Sequence, residues 1–359
     1  TAIMLVAVVV GVWAMIFMSA MMRGMVDGML VGSIRSLPGH VQIHNPNFRD
    51  DPTVNNLFPS PNENLIAVLE QEDVVAWSSR VRVPAVVMSE RNFRGVTLIG
   101  IDPVAEVSVS FVADDMTEGR FLLGTEDTGL ILGRRLAERL ETEVGKRVVV
   151  LTQDPSNEIV DRGFRVIGVY EAQVASTEEI YAFVGRSTLQ TLLGIGGQVS
   201  EIAVLGADYR DTEALYHRIN AAVGNRLEVL PWYELNRYLS SMLGMMDGFV
   251  LIWIVVIFLA LSFGLVNTLM MSVFERVREI GLMMALGMKP GVILGQIITE
   301  SLMLLGMGLL IGDVFAWVTI RRLREGIDLS AVSEGLEMMG AGSVLTPSLQ
   351  ASDVVLATI

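Results

Sequence analysis

The sequence contains no cysteine among its 359 residues and only three histidines. The lack of cysteine excludes disulfide bonds, thiol catalysis and cysteine metal sites within this sequence, and it leaves the redox compartment undetermined. His40 and His44 share one face of a predicted strand but stand ~13 Å apart there, too far to bind one zinc ion. We therefore expect no metal site, and the formal net charge of −14 argues against nucleic-acid binding.

Two catalytic signatures are also missing. The sequence has no G-x-x-x-x-G-K-[ST] segment, because its nearest glycine-rich runs, at 194–198 and 287–291, lack the final lysine-hydroxyl pair that holds phosphate and magnesium. It has no G-x-S-x-G segment and no ordered Ser-His-Asp set either. We expect no enzyme activity of this chain by itself.

Long apolar runs indicate a membrane protein. Residues 2–22 and 248–274 carry no charge, and residues 291–320 form a third apolar run that contains only Glu300 and Asp313 as charged residues. A helix of about 20 apolar residues spans a bilayer core. The predicted organisation is a first transmembrane helix with its extension at 1–30, a second helix at 241–274 and a third at 291–320.

The two ends of the sequence suggest further segments. Thr1 is not an initiator Met, and residues 354–359 turn apolar again after a polar stretch at 321–353. We expect a basic cytoplasmic leader before Thr1, an extracytoplasmic loop at 321–353 and the start of a fourth, truncated span at 354–359.

Residues 31–240 have the composition of a soluble domain. The stretch from Arg23 to Asp247 holds 20 Arg and Lys against 31 Asp and Glu. Its alternating β-rich runs, such as 39–44 and 96–101, are interleaved with helical runs such as 187–193 and 211–223. The prediction is a large inserted α+β domain of two subdomains, with about 112–205 as an inserted subdomain.

The segment at 275–290 joins the second and third spans through a cluster of charges. Two carboxylates and two guanidiniums, from Glu275, Arg276, Arg278 and Glu279, fall within five residues. Such groups form oriented, charge-assisted hydrogen bonds with a soluble partner. The alternative is an ordinary charge cluster at a membrane surface.

The run NTLMMSVFERVREIGLMMALGMKPGVILGQIITESLMLLGMGLLIG, beginning at Asn267, resembles the core of the FtsX/MacB-type ABC transporter permease family. EGRFL at 118–122, LILGRRLAERLETEVGKRV at 130–148 and PWYELNRYL at 231–239 extend the resemblance over nearly the whole chain. GHVQIHNPNF, beginning at Gly39, is most similar to the lipoprotein-releasing LolC/LolE branch.

This resemblance implies a four-span α-helical permease of the bacterial inner membrane whose large domain lies in the periplasm. Two permeases, the same or homologous, pair over an ABC ATPase dimer that binds the ATP and Mg, while this chain binds no cofactor. The implied ATPase-coupling residues are Glu275, Arg276, Arg278, Glu279, Gly281, Ala285, Leu286 and Gly287.

Methionines are concentrated at the first two spans. Met15, Met18, Met22, Met25 and Met29 recur at helical spacing, and the start of the second span presents Met242, Met245, Met246, Phe249 and Trp253. Methionine suits surfaces that adapt to varied apolar partners, so these residues are candidates for contact with acyl chains. The alternative is plain helix packing.

Several charged residues lie in and after the third span. Glu300 and Asp313 are costly within a bilayer and are expected to face protein or a cavity. Glu300 could hydrogen-bond to the coupling region or to a neighbouring helix, and Asp313 could reach water or Arg321 and Arg322. Basic residues do not decide the topology, because 275–289 and 321–324 each hold three. Arg321, Arg322 and Arg324 would be extracytoplasmic in the family topology, where they could mark a headgroup site.

The predicted function is extraction of lipoproteins from the outer leaflet of the inner membrane, driven by a partner ATPase through motion of the periplasmic domain. The client is lipidated or amphipathic, and a periplasmic carrier could receive it. Two alternatives stay open: a MacB-like exporter of peptides or toxins, and an FtsX-like regulator of a cell-wall hydrolase. A fourth hypothesis, a membrane sensor without an ATPase, would require that the ERVRE helix at 275–279 binds no partner.

Overall fold

The computed structural model describes residues 2–172, 175–324, 326–328 and 344–349. The helices are α1 (Ala2–Ser36), α2 (Glu63–Leu69), α3 (Pro103–Val109), α4 (Arg134–Arg139), α5 (Ala175–Ile180), α6 (Arg186–Leu193), α7 (Thr212–Val223), α8 (Trp232–Leu235), α9 (Arg237–Glu275), α10 (Val277–Ala285) and α11 (Pro290–Arg322). The strands are β1 (Val41–His44), β2 (Phe58–Pro59), β3 (Val74–Met88), β4 (Phe93–Ile101), β5 (Met116–Gly119), β6 (Gly129–Gly133), β7 (Arg147–Gln153), β8 (Ile159–Tyr170), β9 (Tyr181–Gly185), β10 (Gln198–Val199), β11 (Glu201–Gly206), β12 (Glu228–Pro231), β13 (Ile327–Asp328) and β14 (Val344–Leu345).

The chain divides into two compact units. One comprises Thr1–Gly28, Ser241–Val332 and Ser343–Ile359, and the other comprises Met29–Ser240 and Ser333–Gly342. In the second unit, the described segment 29–240 corresponds closely to the α+β domain predicted at 31–240.

The α+β unit is built on a ten-stranded mixed sheet. Its order is β12-β1-β11-β3-β4-β9-β6-β8-β5, with β7 pairing with both β3 and β8. Strand β3 joins two halves of this sheet, because Val74–Arg80 pairs with β11 while Val81–Met88 pairs with β4. Alternate residues of β3 face opposite sides of the sheet, so Val81, Val83 and Val87 are buried in one apolar core.

The sheet carries three apolar cores, so the division into two subdomains stays a prediction. Val41 and Ile43 of β1 pack with α2 and α7 in one core, and the largest core gathers apolar side chains from β3, β4, β6, β7 and β8. The third core contains Ile99 and Ile131, which alternate with residues of the largest core along β4 and β6. The inserted part differs from the prediction of about 112–205. It begins within β3, near Val81, and ends before Glu201, because β4 pairs with the second half of β3 while β11 pairs with the first half.

The other unit contains the long apolar helices. Within the described residues, two helices are long and apolar enough to cross a membrane, Leu5–Ser36 and Pro290–Arg322. The predicted second span falls in α9, where the structure shows a shorter apolar stretch at Leu251–Gly264. The four-span count therefore stays a prediction, and the start of the fourth span at 354–359 lies outside the described residues, as does most of the loop at 321–353.

Candidate functional site

The charged segment between the second and third apolar helices forms a break followed by a short helix. α9 runs without interruption through Glu275, and α10 begins only at Val277. Arg276 stands between them as the N-cap residue of α10, with φ −102° and ψ 8°. The predicted coupling helix at 275–290 is therefore shorter than expected, because Glu275 belongs to the preceding helix and Arg276 occupies the break.

Gly287 makes the turn from α10 into α11. Its φ of +89° lies in the left-handed region that favours glycine. The amide of Met288 donates to the carbonyl of Met283 and the amide of Gly287 donates to that of Met284, which is the Schellman pattern for ending a helix. Pro290 then occupies the first position of α11, where its missing N–H costs no hydrogen bond. Local sequence thus accounts for the whole turn.

Arg276 forms a two-point ion pair with Glu300 of α11. Its Nη1 lies 3.0 Å from Oε2 and 3.2 Å from Oε1 of Glu300. The side chains are 47% and 40% exposed in this single chain. Glu300 thus accepts hydrogen bonds from the coupling region, one of the two partners considered for it from the sequence, and the donor is a residue that we had assigned to ATPase contact.

The rest of this segment is presented outward. α10 buries none of its residues, and Glu275, Arg278 and Glu279 are exposed at its beginning. Leu282, Met284 and Leu286 are 50–78% exposed, and a Cβ at Gly281 would meet no atom within 4 Å. Ala285 and Gly287 are exposed too. A surface of mixed charged and apolar side chains on a short helix is suited to docking in a groove of a partner protein.

The methionines of α1 lie in different environments. Met15 is buried against Ile254 and Ile257 of α9, which is a helix-packing contact. Met29 is also buried, Met22 and Met25 are half-buried, and Met18 is 45% exposed. The five α1 methionines predicted to contact acyl chains thus do not form a uniform surface, and of these a ligand could reach only Met18, Met22 and Met25.

The start of α9 exposes several of the other predicted contact residues. Met245 is 62% exposed, Phe249 49% and Trp253 45%. The side chains of Met242 and Met246 lie outside the described part of the chain.

Glycines of α11 form a close contact with α1. A Cβ at Gly308 would lie 2.7 Å from Cγ1 of Val8, and one at Gly312 would lie 2.9 Å from Cβ of Val12. This G-x-x-x-G step therefore permits the two helices to pack closely. Trp13 adds a hydrogen bond from its Nε1 to Oγ1 of Thr319, at 3.1 Å.

The remaining polar residues of α11 lie near this contact. Asp313, which follows Gly312, is half-buried. The guanidinium of Arg321 lies 5.1 Å from the ring centroid of Trp317, a cation–π arrangement. Arg322 and Arg324 are exposed.

The α+β unit holds a buried ion cluster that sequence reasoning missed. Arg80 of β3 is fully buried and donates from Nη2 and Nε to Glu106 of α3, at 2.6 and 3.1 Å. Its Nη1 donates to the carbonyl of Leu37 at 2.5 Å and lies 3.3 Å from Glu201. Burial alone would lower the pKa of Arg80, but the two carboxylates reverse this and raise it. The sequence signal that could have revealed this cluster is Arg80 itself, a charged residue inside an alternating strand.

The two histidines of the predicted strand have separate roles. Nδ1 of His40 accepts a hydrogen bond from the amide of Gly206 at 2.7 Å, and burial lowers the pKa of His40. His44, also buried, lies 3.5 Å from Glu228. Across the described residues, no group of three or more His, Asp or Glu side chains could hold a metal ion.

Comparison with known families identifies both parts of the chain. The family described as "MacB-like periplasmic core domain" matches residues 1–222, and the family described as "FtsX-like permease C-terminal" matches residues 251–350.

Two curated proteins are similar in sequence. The lipoprotein-releasing system transmembrane protein LolC of Neisseria meningitidis serogroup B is 27% identical over 63% of this chain and 57% of its own length. An uncharacterized ABC transporter permease of Methanocaldococcus jannaschii is 28% identical over 63% of this chain and 56% of its own length. The chain thus matches little more than half the length of these relatives.

Two solved structures are similar to the α+β unit at low identity. The periplasmic region of MacB from Actinobacillus actinomycetemcomitans has a TM-score of 0.41 and 14% identity, covering 59% of this chain and 97% of that one. The extracellular domain of the ABC-type transporter YknZ from Gram-positive bacteria has a TM-score of 0.38 and 16% identity, covering 53% and 98%.

Proposed function

Because the chain belongs to the MacB/FtsX-type family of ABC transporter permeases, we propose that it extracts lipoproteins from the outer leaflet of the bacterial inner membrane. A partner ATPase dimer hydrolyses ATP with its Mg, and a second permease of this type completes the transporter. The energy reaches the periplasmic α+β unit as mechanical motion. The chain itself then performs no catalysis.

The observation that carries this proposal is the exposed segment from Glu275 to Gly287. It presents Arg278 and Glu279 together with the apolar residues Leu282 and Leu286 on a helix that buries nothing in this chain. Such a surface is explained by a soluble partner, and an ABC permease has one in its ATPase. The name of the meningococcal relative, a lipoprotein-releasing protein, supports the choice of client.

The client would contact the exposed side of the first two apolar helices. Met18 and, on α9, Met245, Phe249 and Trp253 remain accessible, while Met15 is occupied by packing. Flexible thioethers and aromatic rings adapt to acyl chains of different length. The half-buried Met22 and Met25 continue this surface along α1.

A photo-crosslinking residue at Met18 in the complete transporter tests the client. We expect adducts with triacylated lipoproteins in native membranes that disappear when ATP is supplied. Val10, 52% exposed on the same helix, is the matched control site and is expected to give few such adducts. Crosslinks from Met18 only to permease helices would contradict lipoprotein release. They would favour the alternatives of a MacB-like exporter or an FtsX-like regulator.

The ATPase contact is tested separately by charge reversal. Arg278→Glu is expected to lower the amount of ATPase retained on the purified permease by about tenfold, because a charge-assisted contact becomes repulsive. Arg147→Glu reverses an exposed charge on β7 in the α+β unit and serves as the control. Equal ATPase retention by both variants would argue against coupling through α10.

A further inference from the structure

The chain around Gly287 forms a helical hairpin with arms of similar length. One arm is the nine-residue α10, which is ~13.5 Å long, and the other is the first ten residues of α11, which rise ~15 Å. The two arms contact each other, and the Gly287 turn closes one end. At the open end Arg276 meets Glu300, 24 positions later in the sequence.

We propose that Arg276 and Glu300 are positioning residues that clamp the open end of this hairpin, so that motion of the ATPase is transmitted to α11. The inference rests on the proposed function and adds a residue pair to its coupling site. In this arrangement the hairpin moves as one body. Without the clamp, α10 could swing about the Gly287 turn while α11 stayed in place.

The geometry and the charges support a specific pair. One guanidinium nitrogen contacts both carboxylate oxygens of Glu300, at 3.0 and 3.2 Å. Charge-assisted hydrogen bonds of this kind are stronger than neutral ones. Among the described ion pairs, Glu300 is joined to Arg276 alone, although Arg278 and Lys289 belong to the same hairpin.

The pairing with Arg276 also bears on the depth of Glu300 in a bilayer. Ser301–Ile320 contains 20 residues, which as a helix span ~30 Å, the thickness of a bilayer core. Glu300 then lies at the edge of the apolar core, where it can pair with a residue of the loop. Ion pairs near such an edge are screened less than those in bulk water. Arg276 is consequently removed from the set of direct ATPase contacts, and Arg278 and Glu279 remain.

A crosslinking experiment tests the clamp without any assumption about function. The sequence has no cysteine, so Arg276→Cys with Glu300→Cys introduces the only thiol pair. In native membranes a short bismaleimide should join the two positions, seen by mass spectrometry of the linked peptides. Arg278→Cys with Glu300→Cys is the matched pair and should link at least about fivefold less, since Arg278 forms no described ion pair with Glu300. Failure of the first pair to link, or equal linking by both, would overturn the clamp.

A charge swap in the complete transporter tests its role. Arg276→Glu and Glu300→Arg should each lower ATP-driven lipoprotein release by roughly tenfold, and the double variant should recover most of it, because the paired charges are restored. Lys289→Glu combined with Glu300→Arg should not recover, because Lys289 lies on the same hairpin but forms no described ion pair with Glu300. If the wild type itself releases no lipoprotein, the proposed function fails while the crosslinking result still decides the clamp. If the wild type is active and the single variants are too, or the swap fails to rescue, the clamp has no positioning role.

Discussion

At the scale of single residues, Arg80 is a fully buried cation of the α+β unit. It contacts Glu106, Glu201 and the carbonyl of Leu37 with no exposure to solvent. The cluster thus holds the segment after α1, the shared strand β3 and helix α3 together. Glu106 and Glu201 are buried as well; Glu106 depends on this guanidinium for compensation, while Glu201 also lies 3.6 Å from Nε of Arg82.

Removing Arg80 is expected to destabilise the protein strongly. Arg80→Met leaves Glu106 buried without its cation and leaves Glu201 with Arg82 alone, which costs about 3–5 kcal/mol. The measurement is denaturant unfolding of the purified chain in detergent, followed by near-UV circular dichroism. Arg147→Met, at an exposed position of β7, should change the free energy of unfolding by less than about 0.5 kcal/mol. Similar stability of the two variants would show that the cluster contributes little.

His40 is expected to make stability depend on pH. In the folded state burial lowers its pKa, against the opposing effect of Asp208, while the unfolded chain binds a proton near pH 6.5. The unfolded state therefore binds more protons as pH falls through ~6.5, and the free energy of unfolding decreases by up to about 1.4 kcal/mol per pH unit.

Comparing the melting of histidine variants shows how much of the pH dependence is due to His40. Melting temperatures of the wild type between pH 7.5 and 5.0 should fall more steeply than those of His40→Gln. His217→Gln, at an exposed histidine, should keep the wild-type slope. An unchanged slope in His40→Gln would mean that other groups cause the pH dependence.

At the scale of elements, the contact of α1 with α11 depends on two glycines. Val8 and Val12 occupy the space in which side chains at Gly308 and Gly312 would lie. Gly306 is on the same helix, but a Cβ there would meet no atom within 4 Å. A substitution at Gly306 therefore serves as the control for substitutions at Gly308 and Gly312.

Leucine at Gly308 or Gly312 is expected to separate α1 from α11. Over-packing of this kind costs about 1–3 kcal/mol, and the close backbone approach makes the upper end the expectation. Melting of the detergent-solubilised protein should show the loss, and Gly306→Leu should melt like the wild type. A loss of the same size in Gly306→Leu would mean that leucine disturbs α11 generally, independent of α1.

At the scale of the whole molecule, the charges of the connecting segments do not predict the membrane topology. Three basic residues on each of the two short connecting segments leave the positive-inside rule without a preference. Membership of the MacB/FtsX family places the α+β unit in the periplasm. The Gly287 turn must then lie in the cytoplasm if α9 crosses the membrane.

Single cysteines test this arrangement, because the sequence has none of its own. Ser156→Cys, in the connection from β7 to β8, should react with a membrane-impermeant maleimide in cells with a permeabilised outer membrane. Met288→Cys, beside the Gly287 turn, should react only after the inner membrane is opened. Arg324→Cys should behave like Ser156→Cys. Labelling of Met288→Cys from outside would overturn the proposed topology.

Several helices and strands were predicted from local sequence patterns. The β-rich runs at 39–44 and 96–101 fall on β1 and β4, and the helical runs at 187–193 and 211–223 fall on α6 and α7. The second span was predicted to end at 274, and α9 ends one residue later, at Glu275. The boundary of the inserted part was misplaced, since a single strand, β3, serves both halves of the sheet.

The sequence by itself indicated a membrane protein with a large α+β domain, because apolar length and strand alternation act between near neighbours in the chain, and its resemblance to FtsX/MacB-type permeases indicated the family. Only the tertiary structure decided which distant residues meet. Arg276 with Glu300, Arg80 with Glu106 and Glu201, and Gly308 with Val8 are separated by tens to hundreds of positions. Their pairing depends on how the helices and strands pack, and no local pattern encodes that choice.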